Sequence, residues 1–474
     1  MLFNSLEFFF FFLIVYSVYL LLKHSAQNKF LIIASCIFYA SWNWKYLGLM
    51  FISITTDYFC GREIDARRDP KARKMFLFLS IFVNLSILGF FKYFNFFVDS
   101  LSDLLRLFHL DIPGVRGPLN IILPVGISFY TFESLSYTID VYRGQLKPTR
   151  RYWDYFLFVA YFPQLVAGPI MRAKTLLPQV LAPRSVNAKK FYEGGFLFFW
   201  GLFEKLFVAD NLAKLVNPVF EEQGPYRGVR VLLALYAFAF QIFCDFDGYS
   251  NMARGLGKFM GFEIDVNFNL PYFAVNPRQF WKRWHISLST WLRDYLYIPL
   301  GGNRRGKGWM YAALFLTMFL GGLWHGAAWT FVLWGIYQGF LLIVHRLVAK
   351  DVRASAIDAS PRSLKRALKN LVFFHLVLLG WLFFRAQSVG QIFEMLYALF
   401  FNFNIFAVDI QSWLTLAGFV VPLLAIQIWQ FLSGDLMILY KQHWLLKTII
   451  YAFMTYLLIG WGVLKAEEFI YFQF

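Results

Sequence analysis

Long apolar runs separated by short polar and basic segments make up most of this chain. They lie at residues 8–22, 30–41, 46–59, 75–91, 119–139, 191–209, 229–244, 370–386, 412–432 and 448–464. A helix needs roughly 20 apolar residues to cross a bilayer, so several of these runs are short for an unaided crossing. Short runs indicate tilt, local thinning of the bilayer or burial among other helices. The pattern therefore predicts an all-α, multi-pass integral membrane protein.

Composition and charge agree with this class of protein. Of the 474 residues, 59% are hydrophobic, and phenylalanine alone contributes 59 residues, enough to cover a wide lipid-facing surface. The net charge is +17, but the cations lie in short loops, where they orient the spans and meet anionic lipid headgroups. We therefore expect membrane lipid, and no nucleic acid, as a partner. Cys36, Cys60 and Cys244 lie in or beside apolar runs, and an odd number argues against a disulfide framework.

The distribution of loop charge predicts the orientation of the chain. Segments 61–74, 143–151 and 346–369 are rich in Lys and Arg and should therefore be cytoplasmic. Counting spans back from segment 61–74 places the N-terminus on the opposite side. The first apolar run has Glu7 rather than a basic residue in its flank, and no small-residue cleavage site follows it. We expect a retained first span rather than a cleaved signal.

One histidine lies inside an apolar stretch that must enter the membrane and return. Basic residues flank the run 309–344 on both sides, so a hairpin or re-entrant element is predicted, with its apex near the glycines at 321, 322 and 326. His325 is the only side chain of this run that titrates near neutral pH. It lies about 24 Å along a helix from Trp309. An intramembrane histidine marks a functional site by default, and its pKa suits proton transfer. The alternative is a structural histidine bonded to a neighbouring helix.

Residues 244–302 mix charges, prolines and aromatics in a way that lipid-exposed helices do not tolerate. We expect surface-lying amphipathic helices and re-entrant pieces here. Asp245 and Asp247 follow an apolar run without further ligands for a metal site, and Asp247 before Gly248 predicts a turn or helix start. Glu133 and Asp140 are expected to hold polar partners within the helix bundle.

The segment 280–295 combines tryptophans with cations. Trp281, Trp284 and Trp291 suit the headgroup boundary, and the cations of this region are Arg278, Lys282, Arg283 and Arg293. Two interpretations remain open for these cations. They could bind anionic lipid from an interfacial helix, or they could form a cytoplasmic opening that captures a phosphate-bearing acyl donor. The histidines outside this region, His24, His109, His345, His375 and His443, are predicted to be structural.

Several motifs resemble those of the membrane-bound O-acyltransferase family, in particular its bacterial branch that includes the alginate O-acetyltransferase membrane subunit. The similarity covers nearly the whole chain in order. The sequence differs from the family pattern at Asp247 and Asn251, where we would expect Ser and Asp. The matching segments are 123–134, 167–170, 267–272, 280–295, 299–304, 319–329 and 469–474.

The resemblance implies a single polytopic domain over residues 1–474. It would be a ring of about 11 transmembrane helices with re-entrant and interfacial helices around a central funnel and tunnel. His325 and His285 fall on the two family histidines, with His285 expected nearer the cytoplasmic opening. Trp324, Trp329, Asp245 and Tyr249 are predicted to line the tunnel. The expected location is the bacterial inner membrane, with a periplasmic N-terminus.

The function implied is acetyl transfer from a cytoplasmic thioester to an exported polysaccharide, with no bound cofactor. Acetyl-CoA or an acyl-carrier thioester would be the donor, and Arg278, Lys282, Arg283 and Arg293 would draw in its phosphates. A periplasmic relay acetyltransferase or the polysaccharide itself would accept the group. Alternatives within the family are D-alanyl transfer to teichoic acid and acetyl transfer to peptidoglycan or cellulose. Outside enzymes, a proton-coupled transporter or flippase, or a scaffold for polysaccharide export, would also accommodate His325.

Overall fold

The computed structural model describes residues 1–110, 119, 121–348, 363–463 and 469–470. These residues form helices and connecting segments, and no strand occurs among them. Most of the basic segment 346–369 and the last four residues of the motif 469–474 lie outside the described residues.

Eleven helices precede the long central helix among the residues that the structure describes. Local sequence explains several of their ends. For example, Asp69 caps the fourth helix by accepting hydrogen bonds from the backbone N–H groups of Lys71 and Ala72, and Pro70 occupies its first turn. The helices are α1 Leu6–Leu21, α2 His24–Asn43, α3 Leu47–Ala66, α4 Pro70–Leu88, α5 Phe94–Leu107, α6 Ile127–Tyr142, α7 Tyr152–Ala160, α8 Phe162–Leu165, α9 Ala173–Leu181, α10 Ala188–Leu202 and α11 Asp210–Glu221.

Nine further helices complete the described chain. They are α12 Gly228–Phe259, α13 Pro277–Trp281, α14 Ile286–Leu292, α15 Lys307–His325, α16 Trp329–Val348, α17 Leu364–Arg385, α18 Val389–Phe401, α19 Ile410–Ser433 and α20 Trp444–Trp461. Three π-helical segments occur where α4, α10 and α14 end, at Gly89–Tyr93, Phe203–Ala209 and Arg293–Tyr297.

Six helical stretches of the described chain are long and apolar enough to cross a membrane. They are Pro70–Leu107, Gly228–Phe259, Trp329–Val348, Leu364–Arg385, Ile410–Ser433 and Trp444–Trp461. Large apolar side chains on α1, α4, α19 and α20 are exposed on the outside, as expected for surfaces that face lipid. The chain is therefore a multi-pass membrane protein, and the count of about 11 spans stays a prediction.

Helix α12 lies at the centre of the molecule and differs from its predicted form. Its apolar run was expected to end at residue 244, with Asp247 starting a turn. Instead the helix is 32 residues long and extends from Gly228 to Phe259, with Asp245 and Asp247 within it. The turn prediction is wrong because polar residues in this helix find buried partners, which removes the cost of continuing it through the protein.

The segment after α12 is irregular, as expected, and it is partly buried. Residues 261–276 contain only the short 3₁₀ turn Pro271–Phe273. Phe262, Asn267 and Phe268 are buried, whereas Glu263, Asp265 and Asn269 are exposed. The helices expected in the region 244–302 occur only after this segment, as the short α13 and α14. Irregular backbone is tolerated inside a membrane protein where the protein satisfies its polar groups.

Helices α15 and α16 form the predicted hairpin. They are separated by residues 326–328 only and pack against each other along their length. A Cβ atom on Gly322 would lie 2.4 Å from the carbonyl oxygen of Phe331 and 2.8 Å from the Cα of Gly335. The absence of side chains at these two positions therefore allows the close approach of the helices. His325 is the last residue of α15 and lies at the apex of the hairpin.

Candidate active site

His325 lies in an aromatic enclosure at the apex of the hairpin. Its side chain is almost fully buried, with 4% of the residue exposed. Its ring is 4.9 Å from the ring of Trp334, 5.0 Å from that of Trp324 and 5.3 Å from that of Phe384. These rings come from both hairpin helices and from α17. Packing against these three rings restricts the position of the imidazole.

Trp324 connects His325 to the second candidate histidine. The centre of the Trp324 ring is 6.0 Å from that of His285, and the same indole packs against Phe129 and Phe132 of α6. The structure thus brings the two predicted histidines into one apolar cluster, although 40 residues separate them in the chain and they belong to different helical segments.

His285 does not lie at the basic opening where the sequence placed it. Its exposure is 0%, and its ring packs against Phe246 and Phe268. His285 precedes α14 in a left-handed conformation with φ of 41°. The irregular segment folds over α12 and carries His285 inward, which charge counting along the chain could not reveal.

Asn267 fixes the position of His285. The Oδ1 atom of Asn267 lies 3.2 Å from Nδ1 of His285. The same oxygen accepts hydrogen bonds from the backbone N–H and the hydroxyl of Ser287. One amide oxygen therefore orients the imidazole and the first turn of α14 together. Asn267 belongs to the matching segment 267–272 but was not predicted as a site residue.

Removing this amide should destabilise the protein measurably. Asn267→Ala leaves buried groups of His285 and Ser287 without their acceptor, and an unsatisfied buried polar group costs about 1–3 kcal/mol. We expect a lower thermal unfolding midpoint in detergent. Asn269→Ala is the matched control, because Asn269 is exposed. Equal midpoints for the two variants would contradict this role of Asn267.

A small cavity of about 50 Å³ adjoins His325. Its wall consists of Trp324, His325, Lys92, Val166 and the segment 123–129 at the start of α6. Lys92 was not predicted as a site residue. It is the only charged side chain between Met75 and Val98, and an isolated charge in an apolar run is the signal that could have identified it.

A larger cavity of about 510 Å³ lies at the opposite end of the hairpin. We call it the basic cavity, since Arg278, Lys282, Arg293 and Arg346 line it. Three of the four predicted donor-binding cations are thus brought together. His345, predicted to be structural, lines the cavity as well. The remaining members of its wall are Trp281, Ile286, Ser289, Thr290, Leu292, Tyr297, Asn303, Leu314, Thr317, Met318 and Leu342.

The fourth predicted cation, Arg283, lies elsewhere. Its guanidinium donates a hydrogen bond to the backbone carbonyl of Asn269 at 3.0 Å and does not line the basic cavity. A role of Arg283 in donor binding stays a prediction, and Arg283 is not among the cations that line this cavity. The short helix α13 ends before Arg283, and the following turn directs this side chain toward the irregular segment.

Buried aromatic side chains fill the space between the basic cavity and His325. Trp281 lines the cavity and its ring is 5.8 Å from that of Trp334, which in turn packs on His325. The indole N–H groups of Trp281, Trp334 and Trp324 have no hydrogen-bond partner among the described residues. Buried donors of this kind usually find a partner in native proteins, so these three indole groups are candidates for polar contacts to a ligand.

Three of the four residues predicted to line a tunnel do not line either of the two cavities described above. Trp329 is 55% exposed on the outer surface and donates a hydrogen bond to Ser100. Tyr249 stacks on Phe3 with ring centroids 4.4 Å apart. Asp245 pairs with Lys205 at 2.7 Å and accepts a hydrogen bond from the backbone N–H of Ile470. Only Trp324 borders a cavity described above.

Glu133 has polar partners within the helix bundle, as predicted. Glu133 accepts hydrogen bonds from the backbone N–H of Met171 at 3.0 Å and from the side-chain amide of Gln164 at 3.3 Å. Glu133 therefore holds the segment after α8 against α6, which confirms its predicted role within the bundle.

Comparison with known proteins places this site in a family context. The model of the membrane-bound O-acyltransferase family matches residues 149–389, a range that includes both histidines. A probable alginate O-acetylase of Pseudomonas aeruginosa is 45% identical over 403 residues, covering 84% of this chain and 75% of the relative. A peptidoglycan O-acetyltransferase of Helicobacter pylori is 35% identical over 428 residues, covering 84% and 79%. A teichoic acid D-alanyltransferase of Bacillus subtilis is 29% identical over 281 residues, covering 57% and 70%.

These similarities extend through the hairpin, the irregular segment and the central helix, which together form the histidine cluster. They favour an O-acyltransferase over a transporter or a scaffold for polysaccharide export. The chain belongs to the membrane-bound O-acyltransferase family and is a multi-pass membrane O-acyltransferase.

Proposed function

We propose that this protein transfers an acetyl group from a cytoplasmic thioester, acetyl-CoA, to a hydroxyl acceptor on the other side of the bacterial inner membrane. One observation carries the proposal. The single hairpin α15–α16 has a basic cavity at its open end and His325 beside a second cavity at its apex. A donor with phosphates and an acceptor with a hydroxyl group can thus approach one histidine from opposite ends.

In the proposed reaction, His325 acts as the general base. The imidazole takes the proton of the acceptor hydroxyl while the hydroxyl oxygen attacks the thioester carbonyl carbon. The C=O π electrons move to the oxygen and form a tetrahedral oxyanion. This intermediate collapses to the new ester and expels the thiolate, which takes the proton back from the imidazolium. Atoms and charge balance without a further reactant.

The basic cavity is the proposed donor site. Its volume of about 510 Å³ lies within the range of small-molecule and cofactor sites. Guanidinium groups bind phosphates well, and Arg278, Arg293 and Arg346 supply three of them. Along α15, the cavity reaches Met318, which is seven residues or about 10 Å from His325. The acyl arm of the donor would cover this distance along Trp281 and Trp334.

Neutralising one cation of the basic cavity should weaken donor binding specifically. For Lys282→Ala we expect the KM of the donor to rise about fivefold, which corresponds to about 1 kcal/mol for an exposed charge pair, with little change in kcat. Kinetics with varied acetyl-CoA concentration measure this effect. Lys307→Ala is the control, since Lys307 is exposed and does not line the cavity. Equal KM values for both variants would show that the donor does not bind in this cavity.

The acceptor is proposed to be an exported polysaccharide, reached directly or through a serine of a periplasmic relay protein. The relatives described as alginate O-acetylases and as a peptidoglycan O-acetyltransferase support acetyl transfer to a glycan. The relatives described as teichoic acid D-alanyltransferases support D-alanyl transfer as the second candidate. A periplasmic N-terminus and a single domain over residues 1–474 are part of the proposal.

Alkali-labile acetate on exported polymer and on isolated peptidoglycan tests the proposal. Cells expressing the wild type, a deletion and His325→Ala at matched protein levels are compared. We expect the deletion and His325→Ala to lose acetate from the same fraction, which identifies the acceptor. Loss in the deletion alone would refute the role of His325. No change in either fraction would refute acetyl transfer to these acceptors and leave D-alanyl transfer as the next candidate.

A further inference from the structure

Lys92 places a positive charge at the cavity beside His325. The residue belongs to the π-helical segment Gly89–Tyr93, between α4 and α5. Its ammonium nitrogen donates hydrogen bonds to the backbone carbonyls of Trp324 at 2.5 Å and His325 at 3.1 Å. π-helical segments within longer helices frequently occur at functional sites. The charge thus reaches the last turn of the helix that carries the proposed base.

The two hydrogen bonds of Lys92 leave one of its N–H donors for other contacts, and its nitrogen also lies 5.7 Å from the ring centroid of Trp324. An ammonium group has three N–H donors, and two of them reach the carbonyls at the end of α15. No carboxylate among the described residues forms an ion pair with Lys92, and no described residue accepts its third N–H. The side chain lines the small cavity together with His325. A buried cation in an apolar span is costly, and such residues are mostly functional.

Three residues at the small cavity beside His325 lie at similar distances along their helices from the other ends of those helices. His325 is 18 residues from Lys307, about 27 Å along α15, and Gly126 is 17 residues from Arg143, about 25 Å along α6. Lys92 lies 22 residues from Pro70, about 33 Å along α4 and the π-helical segment. Lys92 does not line the basic cavity, and its charge does not belong to the proposed phosphate-binding cations.

We propose that Lys92 is a catalytic residue that binds the acyl carbonyl oxygen as it becomes an oxyanion. This inference rests on the proposed acyl transfer by His325. When the hydroxyl attacks, negative charge develops on the carbonyl oxygen, and the ammonium group stabilises it through the third N–H. A fixed donor in a water-excluded site needs no reorganisation during the reaction, so its effect is large. The cavity of about 50 Å³ is lined by both Lys92 and His325, so the base and the cation can contact the same reacting group.

The adjacent residue offers a matched control. Tyr93 donates a hydrogen bond from its hydroxyl to the backbone carbonyl of Leu323 at 2.9 Å. It therefore anchors the same last turn of α15 from the same π-helical segment. It carries no charge and does not line the cavity. Tyr93→Phe removes one anchoring bond and leaves the cavity charge in place.

The test compares Lys92→Gln, Lys92→Arg and Tyr93→Phe with the wild type. Glutamine keeps N–H donors for the backbone carbonyls and removes the charge, and arginine keeps the charge. We expect Lys92→Gln to lower kcat by about 10²–10³-fold, the usual effect of losing one oxyanion donor, with the KM of the donor within about twofold. Lys92→Arg should retain part of the activity, and Tyr93→Phe should retain most of it.

Total alkali-labile acyl ester on cell polymers is measured beside the kinetics, so that the two proposals can fail separately. Ester that contains D-alanine in place of acetate would refute the proposed donor. The rates of the same variants would still show how much Lys92 contributes to acyl transfer. Lys92→Gln within about twofold of the wild type, or a loss in Tyr93→Phe equal to that in Lys92→Gln, would overturn the role of Lys92. If Lys92→Gln does not accumulate in membranes, inactivity of a folded Lys92→Arg would overturn it.

Discussion

Replacing His325 by glutamine is expected to lower kcat for acyl transfer by about 10²–10⁴-fold, the usual contribution of a general base. Glutamine occupies a similar volume within the enclosure of Trp324, Trp334 and Phe384, so the aromatic packing is retained. The KM of the donor should change little, because the basic cavity is at the other end of the hairpin. Initial rates with labelled acetyl-CoA and a hydroxyl acceptor, measured in membranes with equal protein content, provide the check.

The control for this variant is another histidine in a helix. The Nε2 atom of His375 lies 2.7 Å from the hydroxyl of Tyr236, and its ring packs at the edge of Phe374. His375→Gln should therefore keep activity close to that of the wild type. If His325→Gln retained more than about a tenth of the wild-type kcat, or if both variants lost activity equally, His325 would not be the general base.

The hairpin and its histidine could be predicted from the sequence because the evidence is local. Basic residues on both sides of the run 309–344 require it to return to the same face, and glycines at 322 and 326 identify the apex. A helix of known rise then places His325 far from its basic end. The structure bears out the two helices and the position of His325 at their junction.

The depth of His285 could not be predicted in this way because it depends on the path of an irregular segment. Its neighbours in sequence, Lys282 and Arg283, indicated a polar opening. Its position is instead determined by Asn267, which is 18 residues earlier, and by Phe246 of α12. Contacts between distant segments of the chain cannot be predicted from local charge or periodicity. The whole segment 280–295, including the buried His285, was therefore expected at one basic opening.

The positions of Trp329 and Asp245 could not be predicted from the local sequence either. Both lie close in sequence to residues of the proposed site, yet a helical turn directs them elsewhere. Trp329 begins α16 and faces outward, while Asp245 of α12 pairs with Lys205. Lys92 was missed for a different reason. Its run was interpreted as a span and its single charge was given no weight, although the cost of burying that charge was evident from the sequence.

The cluster around Lys205 should have the largest single effect on stability. Its ammonium nitrogen is 2.8 Å from a carboxylate oxygen of Asp210 and 2.7 Å from one of Asp245, and all three side chains are buried. Lys205→Met leaves both carboxylates without this charge. Removing one partner of a buried ion pair costs about 3–5 kcal/mol. We expect a large fall in the thermal unfolding midpoint and less folded protein in detergent extracts.

Lys189→Met is the control because it removes the same charge at an exposed position, and it should leave the midpoint unchanged within about 1 °C. Lys205→Met with a midpoint equal to that of the control would show that the cluster contributes no net stability. The double variant Lys205→Met/Asp245→Asn separates the two explanations for a loss. Neutralising Asp245 should recover part of the midpoint if repulsion between buried carboxylates causes the loss. Recovery should be incomplete, because Asp210 stays charged and still lacks the ammonium group of Lys205. The amide oxygen of the introduced asparagine can still accept the hydrogen bond from Ile470, which joins α12 to the C-terminal segment.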